Sequence, residues 1–194
     1  MRQLVRLPAS VRAVLLFAVV CLTCAPRADA ETFSSAWSLD IHLSADGLAR
    51  VSARLELPGP PEIARVVLTD YEHWPELFPP GLRIVGIRRE AQGVMTDVRA
   101  SRHLLPGELR LVTETRETLP GVLETTLVDG DFHRYTRVWR LAPARDGRGT
   151  LAVLEMELHP RGWVPQWLFT IFLRRDLEAH FLKLQSAVAA RVEP

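Results

Sequence analysis

Toward the C-terminal end, apolar residues recur at steps of four and three: Phe169, Leu173, Leu177, Phe181, Leu184, Val188 and Val192. This is the spacing of one helical face. Neither glycine nor proline interrupts the run, and Pro165 suits a first helical position, so the pattern predicts one helix over 165–192. At 1.5 Å per residue it would be about 40 Å long, enough to lie across a small domain. Upstream the period is two. Trp37, Leu39, Ile41 and Leu43 alternate with polar residues, Asp46-Gly47 makes a turn, and Val51, Ala53, Leu55 and Leu57 alternate again, which predicts a β-hairpin. Pro58-Gly59-Pro60-Pro61 stops the second strand, and Pro61 starts a short helix with Ile63, Val66, Val67 and Tyr71 on one side. A rigid corner follows at Trp74-Pro75 and Phe78-Pro79-Pro80-Gly81.

Beyond the corner the period returns to two. Strands are predicted over 82–90, 94–105, 109–118, 122–128, 135–141 and 150–158. Gln92-Gly93, Pro106-Gly107, Pro120-Gly121, Asp129-Gly130-Asp131 and Asp146-Gly147 separate them, and such short turns make an antiparallel meander. Leu109, Leu111, Thr113 and Thr115 share one face against Arg110, Glu114 and Arg116. Ala152, Leu154, Met156 and Leu158 likewise oppose Glu155 and Glu157. One face is wet and the other covered, as a single helix packed on the sheet requires. The covered set includes small or hydroxylic residues, Val94, Thr96, Val98, Ala100, Thr113 and Thr115, which leave either close packing or a hole. The expected class is α+β, an antiparallel sheet around one long helix.

The first thirty residues stand apart. Arg2, Arg6 and Arg12 precede a continuous apolar run from Ala13 to Ala25, and Ala28-Asp29-Ala30 supplies small residues where a signal peptidase reads. The run is short for a membrane span. The expectation is a signal peptide over 1–30, cleaved near Ala30, and one domain over 31–194 that is periplasmic or secreted. Cleavage removes Arg2, Arg6, Arg12, Arg27 and Asp29, leaving twenty basic and twenty-two acidic residues, a balance that argues against nucleic acid as a partner. Both cysteines leave with the leader, so the domain has neither disulfide nor thiol chemistry.

Catalytic patterns are sparse. The six histidines show no paired-ligand spacing for a metal, no serine sits in a nucleophile elbow, and no glycine-rich phosphate loop or other cofactor motif occurs. Asp176 and His180, one helical turn apart, read as a solvated surface pair. Asp70, Tyr71, Glu72 and His73 form the densest titratable cluster; Asp70 is expected to hold the corner shut, with acid–base work by Asp70 and His73 as the alternative. Arg137 lies between Tyr135 and Trp139 on one strand face. The favoured expectation is the outer, solvated face; on the covered face it would need an acidic partner or a polar ligand group.

The words and their order also carry a resemblance. Leu68-Thr69-Asp70-Tyr71-Glu72, then Trp74-Pro75 and Phe78-Pro79, resembles the first-helix signature of the polyketide cyclase/dehydrase and lipid-transport (START-like, SRPBCC) superfamily, in particular its coenzyme-Q-binding branch. The similarity continues at Asp129-Gly130-Asp131-Phe132, at Trp139 and Thr150, and from Pro160 to Pro165, and covers residues 51–192. It implies a helix-grip fold, a curved antiparallel sheet wrapped around the C-terminal helix with an apolar cavity between them. It also implies diverse functions, so the fold alone chooses none.

The function expected is a non-enzymatic carrier or sensor for a lipid, quinone or other hydrophobic small molecule. A small cyclase or dehydratase using Asp70, His73 or Tyr135, and an interaction module with a collapsed cavity, are the alternatives. Candidate pocket residues are Trp74 and Phe78 at the corner; Thr96, Val98, Leu111 and Thr113 on the central strands; and Phe132, Trp139 and Met156 on the later ones. Trp163, Trp167, Phe169, Phe172 and Leu173 lead into or lie on the long helix. The stretch from Trp167 to Leu173 is apolar nearly all round; either Trp163 and the Trp74–Pro80 corner cover it, or, with Arg161, Arg174 and Arg175 nearby, it suits peripheral contact with a membrane.

Overall fold

The computed structural model describes residues 37–101, 108–145, 147–161 and 165–192. The leader expected over 1–30, Trp163, the end of the strand expected to reach Leu105 with its Pro106-Gly107 turn, and Asp146 lie outside the described residues.

Among the described residues, eight strands form one curved antiparallel sheet. They are β1 Trp37–Leu43, β2 Ala49–Pro58, β3 Leu82–Arg89, β4 Val94–Ser101, β5 Glu108–Leu119, β6 Val122–Gly130, β7 Phe132–Pro143 and β8 Gly149–Pro160. Their spatial order is β1-β2-β8-β7-β6-β5-β4-β3, so the hairpin β1–β2 joins the last strand of the meander. Between β2 and β3 lie helix α1 (Pro61–Thr69), a single 3-10 turn (Tyr71–His73) and the short helix α2 (Trp74–Leu77); helix α3 (Gln166–Val192) closes the chain. These elements form the predicted α+β, helix-grip architecture.

The alternation on β2 is complete: Val51, Ala53, Leu55 and Leu57 are buried, while Arg50, Ser52, Arg54 and Glu56 are exposed. Its partner β8 buries Ala152, Leu154, Met156 and Leu158 opposite them. Helix α3 packs on β1, β2, α1 and α2 through Leu177, Phe181, Leu184 and Val188, all buried. At about 1.5–3 kcal/mol per buried side chain, this stripe is a main part of the core. Three local expectations are corrected. Pro165 stands one residue before the helix, where its carbonyl accepts the Phe169 N–H. Val192, at the far end of the apolar stripe, is exposed although its side chain lies against Gly59, just past β2. On α1 the buried stripe is Ala64, Val67 and Leu68, continued by Tyr71, whereas Val66 faces water. Ala64 completes the i, i+3, i+4, i+7 set that Val66 would break.

Curvature comes from irregular pairing. The register shifts between Ile84 and Gly86 on β3 and between Val112 and Thr113 on β5, and such bulges bend and twist a sheet. The link from β6 to β7 is the single residue Asp131, whose carboxylate accepts the Arg110 N–H at 2.6 Å. Gly130 before it has φ 122°, and a Cβ there would collide with the Arg110 carbonyl oxygen.

Candidate functional site

One row of paired residues crosses seven of the eight strands on the covered face: Val94, Thr115, Thr125, Arg137, Met156, Val51 and Ile41 on β4, β5, β6, β7, β8, β2 and β1. Its ends are apolar and its middle is not. Thr115 and Thr125 are buried and their hydroxyls lie 2.9 Å apart. One step along β4 and β5, the buried hydroxyls of Thr96 and Thr113 lie 3.0 Å apart. Each pair satisfies one donor and one acceptor locally, so the hydroxyls stay buried at little cost.

Arg137 is therefore on the covered face, which corrects the expectation of a solvated arginine. Period two puts Tyr135, Arg137 and Trp139 on one face, and Trp139, buried against Phe181 and next to Leu154, fixes which face it is. The Arg137 Nη2 donates to the Thr125 Oγ1 at 3.4 Å, and its guanidinium carbon lies 4.9 Å from the centre of the Trp74 ring. The corner lies over this part of the sheet. Trp74 donates its indole N–H to the Leu68 carbonyl at 3.0 Å and packs on Tyr71 with ring centroids 4.8 Å apart. Burial holds the Tyr71 phenol's pKa above its ordinary value, opposed by Thr115 and Arg137 nearby.

Two other titratable groups belong to the corner's construction. Asp70 accepts from His73 at 2.7 Å and from Arg191 at 2.6 Å, tying the end of α1 to the end of α3. The His73 contact, helped by Arg191, holds the Asp70 carboxyl below its usual value against the opposing effect of burial, and Asp70 raises the mostly exposed His73 in return. His180 is not the solvated partner expected from its spacing to Asp176. It lies on the buried stripe of α3, three residues after Leu177 and four before Leu184, and its Nδ1 is 2.8 Å from the Leu77 carbonyl. Burial lowers its pKa to about 4.

The structure brings most of the candidate pocket residues to one side of the sheet. Thr96, Val98, Leu111, Thr113, Trp139 and Met156 lie on the covered face, with Phe132 buried at the start of β7. Trp74 is buried and Phe78 half-buried at the corner, while Phe169, Phe172 and Leu173 are half-buried on α3. Trp167 departs from the group, with 67% of its surface exposed. Arg137, Tyr71, Thr115 and Thr125 complete the polar centre and were not among the pocket candidates. The alternation of β5 already marks Thr115, but only the β5–β6–β7 register brings Thr115, Thr125 and Arg137 together, and Tyr71 comes from the corner. A separate open groove of about 340 Å³ lies outside the sheet, between α2 and α3, lined by Glu76, Leu77, Leu182, Lys183, Ser186 and Ala187. Among the described residues no cluster of three His, Cys, Asp or Glu stands within metal-binding reach.

The family model described as polyketide cyclase / dehydrase and lipid transport matches residues 57–180. A search of curated proteins finds no match. Among solved structures, the Zhui aromatase/cyclase of Streptomyces is 13% identical, with a TM-score of 0.61 over 75% of this chain and 96% of its own. A STAR-related lipid transfer protein of Xanthomonas axonopodis is 15% identical, with a TM-score of 0.61 over 79% of this chain and 99% of its own. Human StAR-related lipid transfer protein 5 is 15% identical, with a TM-score of 0.60 over 95% and 99%. At these identities the likeness speaks for the fold.

Proposed function

This chain belongs to the polyketide cyclase/dehydrase and lipid-transport family, and from that premise we propose that it is a non-enzymatic carrier or sensor for a hydrophobic small molecule, a lipid or a quinone, held between the sheet and α3. The observation that carries this reading is the make-up of the covered face. Thr96, Val98, Thr113, Thr115 and Thr125 are all small side chains, where a purely structural core would favour bulky ones. Such a surface would give an apolar body a few hydroxyls to orient it among small side chains. The acid–base alternative fares less well, because Asp70 and His73 are paired with each other at the corner and the His73 ring is mostly exposed. Native mass spectrometry of gently purified protein tests the reading: a co-purified hydrophobic molecule supports it. An empty protein that turns over polyketide-like substrates returns it to the cyclase class.

We further propose that the mature protein acts outside the inner membrane after export, on the strength of the 1–30 leader pattern. N-terminal sequencing of exported material checks this, with Glu31 as the expected first residue. The exposed side chains of Trp167 and Ile171 on α3 support a reversible contact with the membrane from which such a carrier would load.

A further inference from the structure

Arg137 places a guanidinium on the covered face with no carboxylate paired to it among the described residues. Its one side-chain hydrogen bond there goes to the Thr125 hydroxyl, and its Nε is buried without a partner. The Trp74 ring attracts the cation through its π-face but does not neutralise it. Several arginines of the wet face pair with carboxylates instead, although Arg99 also has a buried Nε without a partner. Arg50 and Arg134 meet Glu157, Arg83 meets Glu108, Arg110 meets Asp97 and Asp129, and Arg140 meets Glu155. A charge taken out of water is costly unless something pairs with it. A guanidinium is also the side chain best shaped to grip a planar carboxylate through two parallel N–H bonds.

We propose that the molecule held on this face is an amphiphile with a single carboxylate, its acid group on Arg137 and its apolar body against the rest of the covered surface. This rests on the carrier reading above and names its ligand class. The Thr125 hydroxyl, which already accepts from Arg137, and the Thr115 hydroxyl 2.9 Å from it can add hydrogen bonds to the acid, while Met156 continues the row as apolar wall. Charge selects the head group. One guanidinium matches one carboxylate; a doubly charged phosphate would leave an unpaired negative charge, and a neutral carbonyl or alcohol would leave the arginine unpaired.

The test compares dodecanoate, methyl dodecanoate and dodecanol by isothermal titration calorimetry on the full mature protein, alongside Arg137→Gln and Arg137→Lys. The expected result is at least tenfold tighter binding of the acid than of the ester or alcohol. That preference should vanish in Arg137→Gln and survive partly in Arg137→Lys, with ester binding unchanged. Equal affinity for all three overturns the head-group assignment and leaves the carrier reading standing. If none of the three binds, the co-purified molecule decides: an acid supports the assignment, a neutral molecule overturns it alone, and an empty protein overturns both. The comparison within the parent protein needs no variant, so a poorly folding Arg137→Gln would not blunt it.

Discussion

The imidazole of His180 lies flat on the phenyl ring of Phe78, with ring centroids 4.2 Å apart and planes within 8° of each other. The same imidazole meets the Leu77 carbonyl, and the ammonium of Lys183, the chain's only lysine, donates to the Phe78 carbonyl. Two residues one turn apart on α3 therefore hold two consecutive backbone carbonyls of the corner. Since Trp74 of that corner covers Arg137, the placement of the polar centre depends on a contact made by the last helix.

His180 makes stability depend on pH in a defined window. Its folded pKa of about 4 lies below the ordinary 6.5, so the folded state keeps it neutral where the unfolded chain protonates it. The stability tied to neutral His180 is fully present above pH 6.5 and is lost as pH falls toward 4. A shift of this size corresponds to about 3 kcal/mol. His180→Phe keeps the stack and removes the proton. We expect it to be less stable at pH 7 by about 1–3 kcal/mol, from the unpaired Leu77 carbonyl, and to show a flatter melting-temperature profile between pH 6.5 and 4 than the parent. Parallel profiles would show that His180 protonates as freely in the fold as in the open chain.

The Asp70–Arg191 bridge is a weaker tie. Arg191 is 41% exposed, and solvent screens such pairs to about 1 kcal/mol or less. Asp70→Asn and Arg191→Ala should each destabilise by about that much, with a double-mutant coupling of similar size. Ligand affinity should not change. A tenfold loss of ligand binding in Asp70→Asn at unchanged stability would move Asp70 from the corner's frame into the binding site.

Elements with strong periodicity were legible in the sequence, because burial and period coincide. The alternating pattern of β2 and the stripe of Leu177, Phe181, Leu184 and Val188 needed no tertiary information. The burial of His180 is not legible in the sequence, because an imidazole on an apolar stripe looks polar until its neighbour is known, and Phe78, its stacking partner, is about a hundred residues away in the chain. The placement of Arg137 is hidden in the sequence for a related reason. Period two showed that Tyr135, Arg137 and Trp139 share a face, but a strand carrying polar residues on both faces does not say which face is inside. The decision lies in the pairing of β7 with β6 and β8, a non-local fact.

The stripe on α3 makes a sharper claim than the sheet does. Phe181 is fully buried and touches both Trp37 and Trp139 edge-on. Phe181→Ala should cost about 3–5 kcal/mol, a large share of a domain's stability. Ending the chain before Pro165 should abolish cooperative folding, since the covered face of β1 and β2 would be laid open. Equilibrium denaturation checks both. A soluble truncated chain with a single sharp transition would show that α3 is an accessory rather than a wall of the core.

The start of α3 leads to the last prediction. Trp167 and Ile171, one turn apart, are 67% and 55% exposed, so neither contributes much to the core. Arg161, Arg174 and Arg175 are exposed nearby in the chain, and among the described residues Arg174 meets Glu178 on its own helix at 3.7 Å. Indole and aliphatic groups flanked by arginines suit the boundary between lipid headgroups and acyl chains, where the apolar parts leave water and the cations meet anionic phosphates. No described helix is long and apolar enough to cross a membrane. The parent protein should co-sediment with phosphatidylcholine vesicles containing phosphatidylglycerol, and less with phosphatidylcholine alone. Trp167→Ser combined with Ile171→Ser should abolish that binding while shifting stability by under about 1 kcal/mol, as expected for exposed positions. A loss of several kcal/mol would place both side chains in the core. A parent protein that ignores both kinds of vesicle would mean that these residues serve something other than a lipid surface.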